Sequence, residues 1–160
     1  DMIYQKTASL ISTSCELGAI TSTGKDADRK AMLTYGTKLG MAFQVKDDLF
    51  DLLGSEQQTG KDIGADVKRN MVTLPLIHSY KNLSRIEARQ VKKILGLKKK
   101  SKSDLISLKN IVNDAGGFTY AEQKIDEFNH HALDAISPYP ESPYKQSMVD
   151  LISFNAQRTG

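Results

Sequence analysis

Lys46-Asp47-Asp48-Leu49-Phe50-Asp51 stands near the end of a long run, roughly Ala27 to Leu53. Met32, Leu33, Leu39, Phe43, Leu49, Phe50 and Leu53 supply its apolar positions, and no proline interrupts it. That spacing and length predict a core helix of a large bundle. Outward from it the helical period persists. Met2 to about Ile20 carries Ile3, Leu10, Ile11 and Leu17 as an apolar stripe, with a loop around Gly24 before the long helix. Downstream, helices are predicted near Val72–Lys81, with Pro75 in the first turn, and over Ser84–Gly96, where Ser84 and Glu87 have capping-box spacing. Three more are predicted at Asp104–Ala115, about Thr119–Ile136 and about Ser142–Ala156. Gly54 to about Asn70 reads as a loop, Leu97–Ser103 as a solvated turn, and Gly116-Gly117 and Pro138–Pro143 as breaks. No stretch alternates as a strand would, so the fold class is all-α.

The chain has 160 residues, the size of one domain with a sizeable core. Hydrophobic residues at 39% and charged residues at 26% exclude disordered and fibrous classes. Twenty-two basic against 19 acidic side chains leave +3, too mild overall to argue for nucleic acid. A single cysteine, Cys15, cannot close an intrachain disulfide, which fits a reducing, cytoplasmic setting. No apolar run reaches the roughly 20 residues of a membrane span. The first residue is Asp1 rather than Met, and the chain is expected to be part of a longer one.

On a helix, Asp47 and Asp51 are i,i+4 neighbours and Asp48 and Asp51 are i,i+3. Gln44, Asp47, Asp48 and Asp51 fall within about a third of the circumference. Gly40 lies on the same face, where a missing side chain is expected to leave room for a ligand. Two readings stand. One is a solvated acidic face. The other is a carboxylate set for a hard divalent cation, supported by apolar flanks in which uncompensated carboxylates are costly. Lys61, in Gly60-Lys61-Asp62, is either an exposed loop lysine or a point-charge phosphate ligand. Lys6, beside Thr7, either snorkels to solvent or points at an anion. The Gly-Lys pair does not form a Walker A loop.

Taken in order, these pieces resemble the C-terminal part of the trans-isoprenyl diphosphate synthase family. The stretches are Lys6-Thr7-Ala8, Gly40-Met41-Ala42-Phe43-Gln44 leading into Asp47-Asp48-Leu49-Phe50-Asp51, and Gly60-Lys61-Asp62-Ile63-Gly64-Ala65-Asp66. Thr73-Leu74-Pro75-Leu76 and the Gly116-Gly117 break extend the likeness over essentially all 160 residues. Within the family, Lys-Thr-Ala followed by Cys15 and by Leu17-Gly18-Ala19 looks most like medium- and long-chain, octaprenyl-type synthases.

The resemblance implies the helical isoprenoid synthase bundle and a Mg²⁺-dependent prenyltransferase. Isopentenyl diphosphate would attack the cation formed when an allylic diphosphate ionises, extending an all-trans chain. It implies that Asp47, Asp48 and Asp51 hold Mg²⁺, that Lys6 and Lys61 bind diphosphate oxygens, and that Thr7 and Gln44 aim oxygen dipoles at the cation. A homodimer is implied, with no nucleic-acid partner. The family's first aspartate-rich motif and its arginine pair have no counterpart here, so this chain taken alone is expected to be inactive. Met71 stands where many members carry a lysine, with Lys68 near in sequence, and Arg158 resembles the basic ending of some members. His78, His130 and His131 read as structural or surface. The alternatives are a non-catalytic partner subunit of a heteromeric synthase and a helical metal-binding module. The intact Lys6, Thr7, Gln44 and aspartates argue against the first.

Overall fold

A computed structural model describes residues 2–53 and 64–158. Among them there is no strand. A π-helical turn, Tyr4–Ala8, leads into α1 (Ser9–Ser22), followed by α2 (Asp26–Leu53), α3 (Ala65–Lys68), α4 (Leu74–Asn82), α5 (Arg85–Gly96), α6 (Lys102–Asp114), α7 (Gly117–Ile136) and α8 (Pro143–Gln157). The all-α expectation holds, and none of these helices is long and apolar enough to cross a membrane.

Helix starts follow from local chemistry. Ser84 and Glu87 form a capping box at α5, as their spacing predicted, and Ser101 and Asp104 form a second one at α6. The second box starts α6 at Lys102, so the turn expected over Leu97–Ser103 is shorter. Pro75 and Pro143 occupy first-turn positions, where a missing N–H costs nothing. The predicted loop before Asn70 contains a helical turn, α3, entered through Gly64 at φ 69°. That conformation suits glycine, which carries no Cβ to clash.

The chain forms two compact units. One takes in residues up to Lys46 together with Lys124–Arg158. Tyr35, Ala132, Ile136 and Ile152 form its buried cluster, with Met32, Leu39 and Met148 packed around it. The Tyr35 hydroxyl donates to Met148 O at 2.9 Å, and Tyr139 donates to Asp28 Oδ1 at 2.8 Å. Burial and the Asp28 contact push the Tyr139 phenol up to about 12. An apolar cavity of about 480 Å³ opens beside this cluster, lined by Cys15, Ala19, Met32, Tyr35 and Met148 among others. Lys6, Thr7 and Gln44 do not line it.

The other unit comprises Asp47–Gln123 among the described residues. Leu76, Val91, Ile94, Leu105, Leu108 and Val112 are buried there. The buried Ser79 hydroxyl lies 2.8 Å from Pro75 O and 3.2 Å from Val112 O. His78 stacks on Tyr120 with centroids 3.8 Å apart.

Candidate functional site

The approach of α1 to α2 is made by small residues. A Cβ at Gly40 would lie 2.6 Å from Ala8 Cα, and one at Gly36 would lie 2.7 Å from Ser12 Cα. Ala8 and Ser12 are fully buried. The bare edge of Gly40 is therefore filled by the backbone of Ala8 and leaves no room for a ligand, contrary to the expectation from its place on the helix. The large apolar residues of α1 fall elsewhere: Leu10 is 75% exposed and Leu17 54%.

This close crossing sets Thr7 against Gln44. The Thr7 hydroxyl donates to Gln44 Oε1 at 2.6 Å, joining residues 37 positions apart. Gln44 is buried, and the π-helical turn Tyr4–Ala8 carries both Thr7 and the exposed Lys6. Such turns widen the helix locally and recur at functional sites. Having donated its proton, Thr7 Oγ1 retains two lone pairs for a cationic or polar group.

Farther along α2, Asp47 and Asp51 are partly exposed and Asp48 is buried. Helical geometry puts Asp47 and Asp51 about 40° apart around the axis, with Asp48 about 60° beyond Asp51. The Asp66 backbone N–H donates to Asp51 Oδ2 at 3.0 Å, and Gly64 N–H donates to Asp51 O at 2.8 Å. Burial pushes the Asp51 carboxyl above its ordinary range. The backbone N–H groups of Asp66 and Ala65 and the Lys68 cation pull it back down, while the Asp66 charge adds to the rise. Among the described residues, no three His, Cys, Asp or Glu side chains gather tightly enough to cage a metal ion. Lys61 lies outside the described residues. Met71 is partly buried, its N–H donating to Asp66 O at 2.8 Å.

Two contacts near the end of α8 were not foreseen. Lys46 Nζ donates to Ala156 O at 3.1 Å, and the Arg158 guanidinium lies 4.1 Å over the Phe43 ring. Arg158 Nη2 also reaches Phe43 O at 3.4 Å. These cations sit where the carbonyls of α8 end, a favourable place for positive charge. They fasten α8 to α2 just ahead of Asp47. The match of a Lys on α2 with a helix end 110 residues away is not visible in spacing.

A sequence model of the polyprenyl synthetase family matches residues 1–114. The octaprenyl diphosphate synthase of Haemophilus influenzae is 32% identical over 159 residues, covering 98% of this chain and 47% of that protein. The geranylgeranyl pyrophosphate synthetase structure from Pyrococcus horikoshii superposes with a TM-score of 0.90 at 29% identity, again over 98% of this chain and 47% of that one. A polyprenyl synthase from Caulobacter crescentus, complexed with calcium and isoprenyl diphosphate, gives 0.89 at 25% identity over 99% and 48%. The fold is thus the isoprenoid synthase bundle of these neighbours, and the chain spans about half the length of the relatives it matches. A family match over most of the chain and an identity of 32% along nearly all of it agree with the Thr7–Gln44 crossing and the aspartate helix: the chain belongs to the polyprenyl synthetase family.

Proposed function

We propose that the intact protein is a prenyltransferase that condenses isopentenyl diphosphate with an allylic diphosphate, lengthening an all-trans polyprenyl chain. The observation that carries this reading is the 2.6 Å bond between Thr7 and Gln44, formed on the same α2 helix that bears Asp47, Asp48 and Asp51. In the reaction the allylic carbon–oxygen bond breaks and diphosphate leaves. The isopentenyl double bond then attacks the allylic cation, and loss of a proton restores a double bond. Charge separates in the transition state, so fixed charges and dipoles lower its energy more than that of the bound substrates.

The donor set on α2 fits Mg²⁺. Asp47 and Asp51 offer hard oxygen donors on one partly exposed face, and the Asp66 N–H holds the Asp51 carboxylate through Oδ2. Asp48 completes the motif from the buried side of the helix. Mg²⁺ ordinarily takes few protein carboxylates and fills its shell with water and substrate phosphate oxygens, which suits a site without a third convergent carboxylate. When bound, the cation neutralises charge on the departing diphosphate. Lys6 and Lys61 add point charges for diphosphate oxygens, and Lys68, whose cation already acts on Asp51, is near in sequence to Met71. The lone pairs of Thr7 Oγ1, held in place by Gln44, would serve the developing cation. A homodimer of cytoplasmic subunits fits this reading. The intact constellation argues against a purely non-catalytic partner.

Asp47→Ala in the intact protein tests it. Removing a ligand that acts on the transition state should lower kcat/KM by a factor of about 100 or more. Turnover within threefold of wild type (roughly 0.7 kcal/mol of barrier) would refute the assignment.

A further inference from the structure

Between Lys81 and Lys109 there are ten Lys and Arg residues and only two acids, Glu87 and Asp104, although the whole chain nets +3. Both acids are committed to helix caps: Ser84 N–H donates to Glu87 Oε2 and Ser101 N–H to Asp104 Oδ2, each at 2.8 Å. Burial of Val91 and Ile94 fixes the packed side of α5. On the opposite side, Arg85, Arg89, Lys92 and Lys93 fall within an arc of about 100°. All four are exposed, as are Lys98 and Lys99 in the turn that follows. Lys100 is drawn inward, its Nζ 2.7 Å from Asn70 Oδ1 and 3.0 Å from Leu97 O, which pins that turn. Among the described residues, no ion pair is formed by Arg85, Arg89, Lys93, Lys98 or Lys99.

So many cations side by side would each need a partner if another protein buried them. They suit a polyanion instead. Tyr80, with Lys92 Nζ 5.9 Å from its ring centroid, stands beside this face, but no Phe, Tyr or Trp lies between Lys81 and Lys109 to extend it into the run of stacking surfaces that bind successive bases. Ile86, by contrast, is 77% exposed at the edge of the arc. A basic helix face with an exposed aliphatic side chain at its border matches the make-up of interfacial helices, in which cations meet anionic headgroups and apolar groups enter the acyl boundary. We propose that the basic face of α5 and the turn after it dock the protein on an anionic lipid bilayer, with Ile86 at the acyl boundary. The inference rests on charge and exposure alone and is independent of the chemistry assigned to α2.

The test is co-sedimentation of the intact protein with phosphatidylcholine vesicles, with and without about 30 mol% phosphatidylglycerol. Binding is expected only with the anionic lipid, and raising NaCl from about 50 to about 500 mM should weaken it by about tenfold or more. The combined variant Lys92→Gln, Lys93→Gln, Lys98→Gln, Lys99→Gln should lose binding by about tenfold or more with unchanged helicity. Arg85→Gln with Arg89→Gln serves as a second variant should that one fold poorly. Ile86→Ser should weaken binding severalfold and keep the salt dependence. Equal binding to neutral vesicles, wild-type binding by a well-folded charge variant, or tighter binding to a single-stranded oligonucleotide overturns the proposal. Prenyl elongation assayed alongside separates the two readings: turnover without vesicle binding strikes only this one, and vesicle binding without turnover strikes only the prenyltransferase assignment.

Discussion

At Gly40 the backbone of α2 lies against Ala8 with no side chain between them, whereas at Leu108 the contact of α6 with its neighbours is made by a fully buried branched side chain. In the first region the spacing of the helices is set by what is missing, because Gly36 and Gly40 let Ala8 and Ser12 approach within a Cβ's width. In the second, Leu76, Leu105, Leu108 and Val112 fill the space with buried side chains. The glycine crossing fixes position closely but contributes little apolar area. The leucine packing contributes area and tolerates small shifts. Thr7 and Gln44, which must meet at 2.6 Å, belong to the first kind.

The largest change in stability is expected at the leucine packing. Leu108→Ala should cost about 2–5 kcal/mol in a urea melt, from lost burial plus the cavity left behind. Gly40→Ala should cost less, about 1–2 kcal/mol, because an overpacking penalty of about 2–3 kcal/mol, at the upper end for a clash with backbone, is offset by the roughly 1 kcal/mol that alanine gains over glycine in a helix. Activity should rank them the other way. Compared in the intact protein at a temperature where both variants are folded, Gly40→Ala should reduce kcat/KM more than Leu108→Ala does. The added methyl parts Thr7 from Gln44, and the Leu108 cavity does not. The opposite ranking would detach the crossing from the chemistry.

The same contrast explains what the sequence made legible. The leucine-built helices followed apolar period and capping spacing: Ser84 with Glu87 marked α5 to the residue, and the aspartates stood out on a long uninterrupted helix. In α1 the period misled, because Leu10 and Leu17 look like an inner stripe yet are exposed, and the inner side is Ala8, Ser12 and Ala19. The usable signal was the i,i+4 pair of glycines at 36 and 40 facing small residues at 8 and 12. In sequence a bare Gly40 looks the same whether a ligand or a backbone fills the space beside it. Thr7 and Gln44 were found through family resemblance, since no local rule joins residues 37 apart. The hold of Asp66 on Asp51 depends on the left-handed turn at Gly64, and the tie of Lys46 to Ala156 on tertiary packing. Neither leaves a mark in spacing.

A smaller effect belongs to the caps of the leucine-built unit. Ser101→Ala should destabilise by about 1 kcal/mol at neutral pH. The Ser101 contacts hold the Asp104 carboxyl below its ordinary range. A carboxyl depressed in the folded state adds stability above its unfolded pKa and loses it as pH falls through the folded value. The difference between wild type and Ser101→Ala should therefore shrink as melts are taken from neutral pH down through the carboxylate range. A constant difference would mean that the hydroxyl caps the helix without its acidic partner.

The smallest effect has the opposite sign. A Cβ at Gly18, in the interior of α1, meets nothing within 4 Å. With no clash to offset, Gly18→Ala should stabilise the chain by about 0.5–1 kcal/mol, through helix propensity and the lower entropy of the unfolded chain. One substitution on two facing helices thus gains stability at Gly18 and loses it at Gly40, and only the distance to the neighbouring backbone differs between them. A loss at Gly18 as large as that at Gly40 would show that α1 needs its glycine for some reason other than close approach. The account of how Thr7 reaches Gln44 would then fail with it.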